Sequence, residues 1–195
     1  LAARWCDDPE VFRMLLGAGA DVNERDPLGE TALMMAVQSI RSPSIIDALL
    51  EAGAEVNAAN QDNQTALFLA VSPCSNLEII QALLAAGANT NVEDHSGVTP
   101  LLRAIIFDND LDVLETLICA GADVNLKNRY YYSPLFIAAS QSTNPGVIEI
   151  LLDAGADVDS IDEQGNTPLQ AAVALNANRD VLGLLIDAGA NVNIR

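Results

Sequence analysis

A single histidine, three cysteines and scattered carboxylates are the residues of this chain best suited to chemistry, and their spacing gathers none of them into a reactive set. His95 stands beside Asp94 in a polar turn. Nucleophilic catalysis needs a base next to a nucleophile and a third group to orient the base. No such partner lies at a useful spacing, so His95 reads as a solvated turn residue. Cys6, Cys74 and Cys119 are odd in number and far apart, with no CxxC and no Cys/His pair. Neither a zinc site nor a disulfide framework is signalled, and free thiols favour a reducing, intracellular compartment, the cytoplasm. Asp108, Asp110 and Asp112 alternate as calcium ligands do. They lack the turn glycine and the closing glutamate of a calcium loop, and read as an inter-helix loop with an acidic helix start. Gly17-Ala18-Gly19 closes a helix instead of opening one, so a phosphate cradle fails on context. The expectation is no catalytic residue, no metal, no cofactor, no small-molecule substrate and no enzymatic activity.

The chemistry left is recognition. The net charge is −18, from 27 acidic and 9 basic residues. Binding nucleic acid requires a positive face that displaces phosphate counterions, and an anionic membrane surface is disfavoured for the same reason. A protein partner steered by this field would carry a basic surface, although the acidity also serves solubility alone. The chain has no apolar run of the ~20 residues a membrane span needs, and no basic segment followed by an apolar one opens it.

The elements that would present a binding surface are set by a repeat. Ala-Gly-Ala recurs with its glycine at Gly19, Gly53, Gly87, Gly121, Gly155 and Gly189, each 34 residues after the last. Thr31-Ala32-Leu33, Thr65-Ala66-Leu67, Thr99-Pro100-Leu101, Ser133-Pro134-Leu135 and Thr167-Pro168-Leu169 keep the same period of 34, as do Asp26, Asn60, Asp94, Asn128 and Asp162. The units are 26–59, 60–93, 94–127, 128–161 and 162–195, with residues 1–25 the tail of an earlier one. A Thr or Ser hydroxyl before Pro or Ala caps a first helix. A polar break such as Arg41-Ser42-Pro43 or Thr143-Asn144-Pro145 follows. A second helix with apolar residues at helical spacing, as in Ile45, Ile46, Leu49 and Leu50, ends at the glycine. A polar finger with a turn at Gly29, Asn63, Gly97 or Gly165 completes the unit. Such a unit cannot bury its apolar face alone, so neighbours must stack around one core. The Asn at Asn23, Asn57 and Asn125 is expected to bond its own backbone within the finger.

On these residues the chain resembles the ankyrin-repeat family. Asp162-Glu163-Gln164-Gly165-Asn166-Thr167-Pro168-Leu169 and Leu151-Leu152-Asp153-Ala154-Gly155-Ala156-Asp157-Val158 follow the family pattern, and the likeness spans all 195 residues. It implies an all-α repeat solenoid of helix-turn-helix repeats with β-hairpin fingers, forming a single domain over 1–195. The chain departs from the pattern in three ways. The period is 34 where the family usually has 33, with the added residue in the inter-helix break. The family histidine is replaced by Met34, Phe68, Leu102, Phe136 and Gln170, which removes a bond to the capping hydroxyl. Tyr131 occupies a turn-glycine slot.

The resemblance further implies a non-enzymatic protein–protein interaction scaffold that binds through its finger tips and the concave face of its first helices. The slots used for contact hold Trp5, Leu28, His95, Ile106, Phe107, Arg129, Tyr130, Tyr132 and Leu175. Aromatic side chains dominate interface energetics, and Lys127 and Arg129 flank the tyrosines with a local basic spot. One reading makes Phe107, Arg129, Tyr130 and Tyr132 a hot spot; the other packs the tyrosines on the neighbouring finger for stability. Trp5 either contacts a partner or covers a further repeat. An alternative function is a regulatory or targeting segment of a larger protein whose enzymatic part lies outside this chain. Nucleotide capture on the exposed rings and self-association through the end repeats are further, separate readings.

Overall fold

The computed structural model describes residues 8–39, 42–107, 110–176 and 178–193. These fold into helices joined by tight turns, in two compact units, Leu1–His95 and Ser96–Arg195. The first unit carries α1 (Pro9–Gly17), α2 (Ala32–Ser39), α3 (Pro43–Glu51), α4 (Ala66–Ala70) and α5 (Leu77–Ala85). The second carries α6 (Pro100–Ile106), α7 (Leu111–Cys119), α8 (Pro134–Gln141), α9 (Pro145–Asp153), α10 (Pro168–Ala171) and α11 (Arg179–Asp187).

The helix starts follow from their capping residues. Thr65, Thr99, Ser133 and Thr167 each accept a hydrogen bond from the backbone N–H three residues on, and Pro occupies the first turn of α6, α8 and α10. Asp8, Asn76, Asn144 and Asn178 cap second helices in the same manner, accepting from the N–H two residues on. The second helices end where a left-handed glycine turns the chain. At Gly155 (φ 87°), the Gly155 and Ala156 N–H groups return to the Leu152 and Leu151 carbonyls.

Packing follows the period. In the first unit α2 packs on α3 and α4 on α5, while α1 meets α3, α3 meets α5 and α2 meets α4. In the second unit α6, α8 and α10 form one row and α7, α9 and α11 another. Side chains 34 residues apart therefore occupy equivalent core sites. Leu33 and Leu67 are fully buried in the first unit, and Leu101 and Leu135 in the second. Each buried Leu or Ile of this kind contributes on the order of 1.5–3 kcal/mol.

The fingers differ from the expected β-hairpins. They close as five-residue turns through Asp26 N–H to Glu30 C=O, Asn60 to Gln64, Asn128 to Tyr132 and Asp162 to Asn166. Among the described residues a single isolated antiparallel bridge, Ala59 with Thr65, is all the strand pairing present. The Asp or Asn side chain that opens each turn accepts two of its N–H groups, as Asn128 does from Tyr130 and Tyr132. So few residues face one another across the turn that a ladder has no length to form.

The Asn of each Asp-Val-Asn type segment also behaves differently from expectation. It bonds across to the next repeat instead of to its own finger. Asn57 Nδ2 donates to Gly87 C=O at 2.9 Å and its Oδ1 accepts from Asn89 N–H at 2.7 Å. Asn23 makes the same pair with Gly53 and Glu55, and Asn125 with Gly155 and Asp157. The turn itself is held by the preceding polar residue, as Asp123 Oδ1 holds the Asn125 N–H at 2.8 Å. This leaves the asparagine amide pointing along the stack, where both its donor and its acceptor find backbone partners.

Candidate protein-binding surface

Two kinds of element carry the candidate residues: finger turns and the ends of first helices. Leu28 is at the tip of the first finger and 58% exposed. His95 is exposed in the third finger, and its N–H donates to the Asp62 carbonyl of the finger before it. Ile106 ends α6 and is 42% exposed; Phe107 follows as the C-cap residue and is half-buried, with the Arg103 guanidinium 4.9 Å over its ring. Leu175 is 71% exposed. Trp5 lies outside the described residues.

The fourth finger gathers the rings. Tyr132 stacks on Phe136, centroids 4.8 Å apart and planes 5° from parallel. Phe136 is buried in α8 at the slot where the family has histidine, so Tyr132 is tied into the core from its half-buried position. Tyr130 leans on Tyr132 at 6.1 Å and is 61% exposed. Among the described residues no ring contact joins Phe107 to these tyrosines, whose stack runs inward to Phe136. The four residues expected to form one hot spot thus divide: Tyr132 supports the fold, Tyr130 and Arg129 face solvent, and Phe107 is occupied by Arg103.

Two features lay beyond the sequence expectation. The first helix of the last unit does not stay α-helical. Ala172–Asn176 winds as a π-helical turn, and Asn176 Nδ2 reaches back to the Ala139 and Ser142 carbonyls. The wider turn leaves Val173 62% exposed beside Leu175. Such turns recur at functional sites, but no local residue type announces one. The second is Tyr131, which takes φ 61° and is 56% exposed. Its place in a glycine slot is legible in the sequence, whereas its exposure beside Tyr130 emerges only in the structure.

Among the described residues no three His, Cys, Asp or Glu side chains come together as metal ligands, and no helix is long and apolar enough to cross a membrane. Asp162, at the base of the fifth finger, has its pKa displaced from the ordinary carboxylate value. Burial pushes its pKa up, but hydrogen bonds from the Asn166 side chain and from the Asn166, Gln164 and Gly165 backbone outweigh that and hold it below the usual carboxylate value. The role is structural, because those N–H groups are the finger's own. In the same unit Gln170 stands in the family-histidine slot and completes a capping box with Thr167, so the bond to the capping residue is restored there.

Stacked helix pairs closed by glycine and linked by short fingers define an all-α repeat solenoid, whose exposed fingers and helix ends suit recognition more than catalysis. Three copies of the family model for ankyrin repeats match residues 1–94, 33–128 and 101–195. The chain belongs to the ankyrin-repeat family. An ankyrin repeat domain from Acinetobacter baumannii AYE is similar at 32% identity and TM-score 0.85, over 97% of this chain and 96% of that one. The ankyrin repeat domain of Bcl-3, a member of the IkappaB protein family, is similar at 33% identity and TM-score 0.77, over 91% of this chain and 77% of that one. No curated protein matches the chain. Ankyrin repeats are in general protein–protein interaction modules.

Proposed function

We propose that this chain is a non-enzymatic interaction module that holds a partner protein against its finger tips and the exposed ends of its first helices. The observation that carries the reading is large apolar side chains left in solvent at the slots the fold does not need for its core. Leu28, Tyr130 and Leu175 are 58%, 61% and 71% exposed, while their structural neighbours Leu33, Leu135 and Ala172 are fully buried. Exposed aromatic and aliphatic anchors of this kind carry interface energy. The partner's own surface is basic where it faces the acidic remainder of the chain, and the compartment is the reducing interior of the cell.

The test is affinity capture of binding proteins by the wild type and by a Tyr130→Ala/Leu175→Ala variant. Both positions are exposed and neither stacks in the core, so melting temperature should hold. A partner captured by the wild type and lost by the variant supports the reading. A variant of unchanged stability that captures the same proteins equally well removes it.

A further inference from the structure

Adjacent fingers are joined by a backbone bond that repeats with the chain's period. Gln61 N–H donates to Leu28 C=O at 3.1 Å and His95 N–H to Asp62 C=O at 3.3 Å in the first unit; Arg129 N–H donates to Ser96 C=O at 3.2 Å in the second. The same register calls for Glu163 N–H to donate to Tyr130 C=O. That bond is missing, and neither group has another partner among the described residues.

The interruption coincides with one residue, Tyr131 in the turn position. The finger that follows packs its backbone against the turn position. A Cβ on Gly97 would lie 2.8 Å from Arg129 N, and one on Gly29 would lie 3.3 Å from Gln61 N. Glycine therefore lets the next finger approach. At Asn63 (φ 60°) the bond survives, and the Asn63 amide adds a second tie to the Glu93 carbonyl. At Tyr131 (φ 61°) a ring replaces the amide, the side-chain tie is absent, and the bond to the fifth finger is not made. A bulky residue in the left-handed region costs about 1 kcal/mol or more, and residues held there concentrate at binding sites.

We propose that the unpaired Tyr130 C=O and Glu163 N–H, between the fourth and fifth fingers, form a docking slot for an extended, carboxylate-bearing peptide segment of a partner protein. The peptide's N–H donates to Tyr130 C=O and its C=O accepts from Glu163 N–H, completing the interrupted ladder as an added strand does at a sheet edge. Tyr130 and Tyr131, 61% and 56% exposed, flank the slot and cover the peptide's apolar side chains. The carboxylate is selected by charge. Residues 124–148 contain no acidic side chain, in a chain with 27 of them, and this stretch holds Lys127 and Arg129. The Lys127 ammonium is engaged by Ile161 C=O at 2.8 Å, whereas Arg129 is exposed and has no ion pair among the described residues. Glu163 on the far side disfavours a second acidic residue in the peptide. The other ties between these repeats stay in place, including Asn125 with Gly155 and Ser133 with Ser160, so the slot is local. This inference rests on the interaction-module reading and assigns one partner chemistry to one part of its surface.

The test uses the full chain and random displayed peptides as the probe. Tyr131→Gly restores the turn glycine and Tyr131→Asn the side-chain tie made by Asn63, so each should re-form the bond from Glu163 to Tyr130; Tyr131→Phe should leave it open. In the free protein the Glu163 amide should exchange rapidly with solvent while the Arg129 amide is protected, and Tyr131→Gly should protect both. Peptides selected on the wild type should contain an Asp or Glu among apolar residues and should slow Glu163 exchange on binding. They should lose at least about tenfold in affinity to Tyr131→Gly, Tyr131→Asn and Arg129→Gln, and keep it with Tyr131→Phe. Peptides that bind Tyr131→Gly within about twofold, peptides that leave Glu163 exchange unchanged, or a selection that yields no binder each overturn the slot. Peptides that bind but depend on Leu28 or Leu175 overturn it while leaving the interaction module standing. Equal capture by wild type and variant in the experiment described above is a separate failure, that of the interaction module itself.

Discussion

The asparagine links between repeats can be tested by a swap that should move stability in opposite directions at two equivalent sites. Asn125 both donates to Gly155 C=O (3.1 Å) and accepts from Asp157 N–H (2.8 Å). One repeat later the slot holds Asp159, which accepts from Asn191 N–H at 2.9 Å but has no proton to give to Gly189 C=O. That carbonyl has no partner among the described residues. Asp159→Asn therefore adds one hydrogen bond and removes one charge from a chain at −18. Asn125→Asp does the reverse. A net intramolecular hydrogen bond contributes about 0.5–1.5 kcal/mol. Both sites border solvent, which places the effect at the lower end of that range, and the charge change adds in the same sense. Asp159→Asn is expected to stabilise by about 0.5–1 kcal/mol and Asn125→Asp to destabilise by at least as much. For a domain of this size that corresponds to melting shifts of about 1–4 °C. Urea denaturation followed by circular dichroism reads both, with the slope checked for constancy because repeat arrays can lose cooperativity. Should Asp159→Asn lower stability, or Asn125→Asp leave it unchanged, the inter-repeat amide is not acting as a bridge.

Three further outcomes follow from the same geometry. Tyr132→Ala should cost about 1–3 kcal/mol in thermal or urea unfolding because it strips the ring from buried Phe136, while Tyr130→Ala should stay within about 0.5 kcal/mol. Gly97→Ala should destabilise by about 1–2 kcal/mol and expose the Arg129 amide to hydrogen exchange, since the new Cβ falls 2.8 Å from Arg129 N at φ 73°. Asp162 has its folded pKa below the ordinary aspartate value, so its contribution is complete above that value and is lost as pH falls through the lower, folded one. Asp162→Asn keeps an acceptor, as Asn60 and Asn128 do, and the stability gap between wild type and variant should narrow below about pH 4 in acid unfolding; a gap that widens there contradicts the assigned direction.

How much of this could be read from the sequence depends on the range over which each interaction acts. The helices were legible because their signals are local: Thr99 before Pro100 caps α6, and Gly155 closes the helix that Pro145 opens. The core rows were legible because the period carries Leu101 onto Leu135 without any knowledge of angles. The asparagine bridge was not, because Asn57 must reach a carbonyl 30 residues on, and residue type cannot tell that target from the turn beside it. The π-helical turn at Ala172–Asn176 escaped for a related reason: it is fixed by Asn176 reaching the carbonyls of α8 and its C-cap, contacts made only after stacking.

Tyr131 marks the boundary between these cases, and it also bears on why the fourth finger differs from its neighbours. Its slot, its bulk and its conflict with a left-handed turn are all visible in the chain, whereas the bond missing beside it belongs to Glu163, nearly a full repeat later. A sequence selected for stacking alone would place glycine or asparagine there, as the fingers at Gly29, Asn63 and Gly97 do. Tyr131 takes a left-handed φ that glycine adopts without cost, and the bond that the neighbouring fingers make is absent beside it. The Phe136 stack does not require it, since Tyr132 supplies that ring. What Tyr131 adds is an exposed ring beside Tyr130 and an open pair of backbone groups, both next to the unpaired Arg129. On the docking proposal these features hold another chain, and they sit in the one long stretch, residues 124–148, from which carboxylates are absent. The local departure from the repeat and the local departure from the acidic charge pattern therefore coincide, as expected if one partner segment selected both.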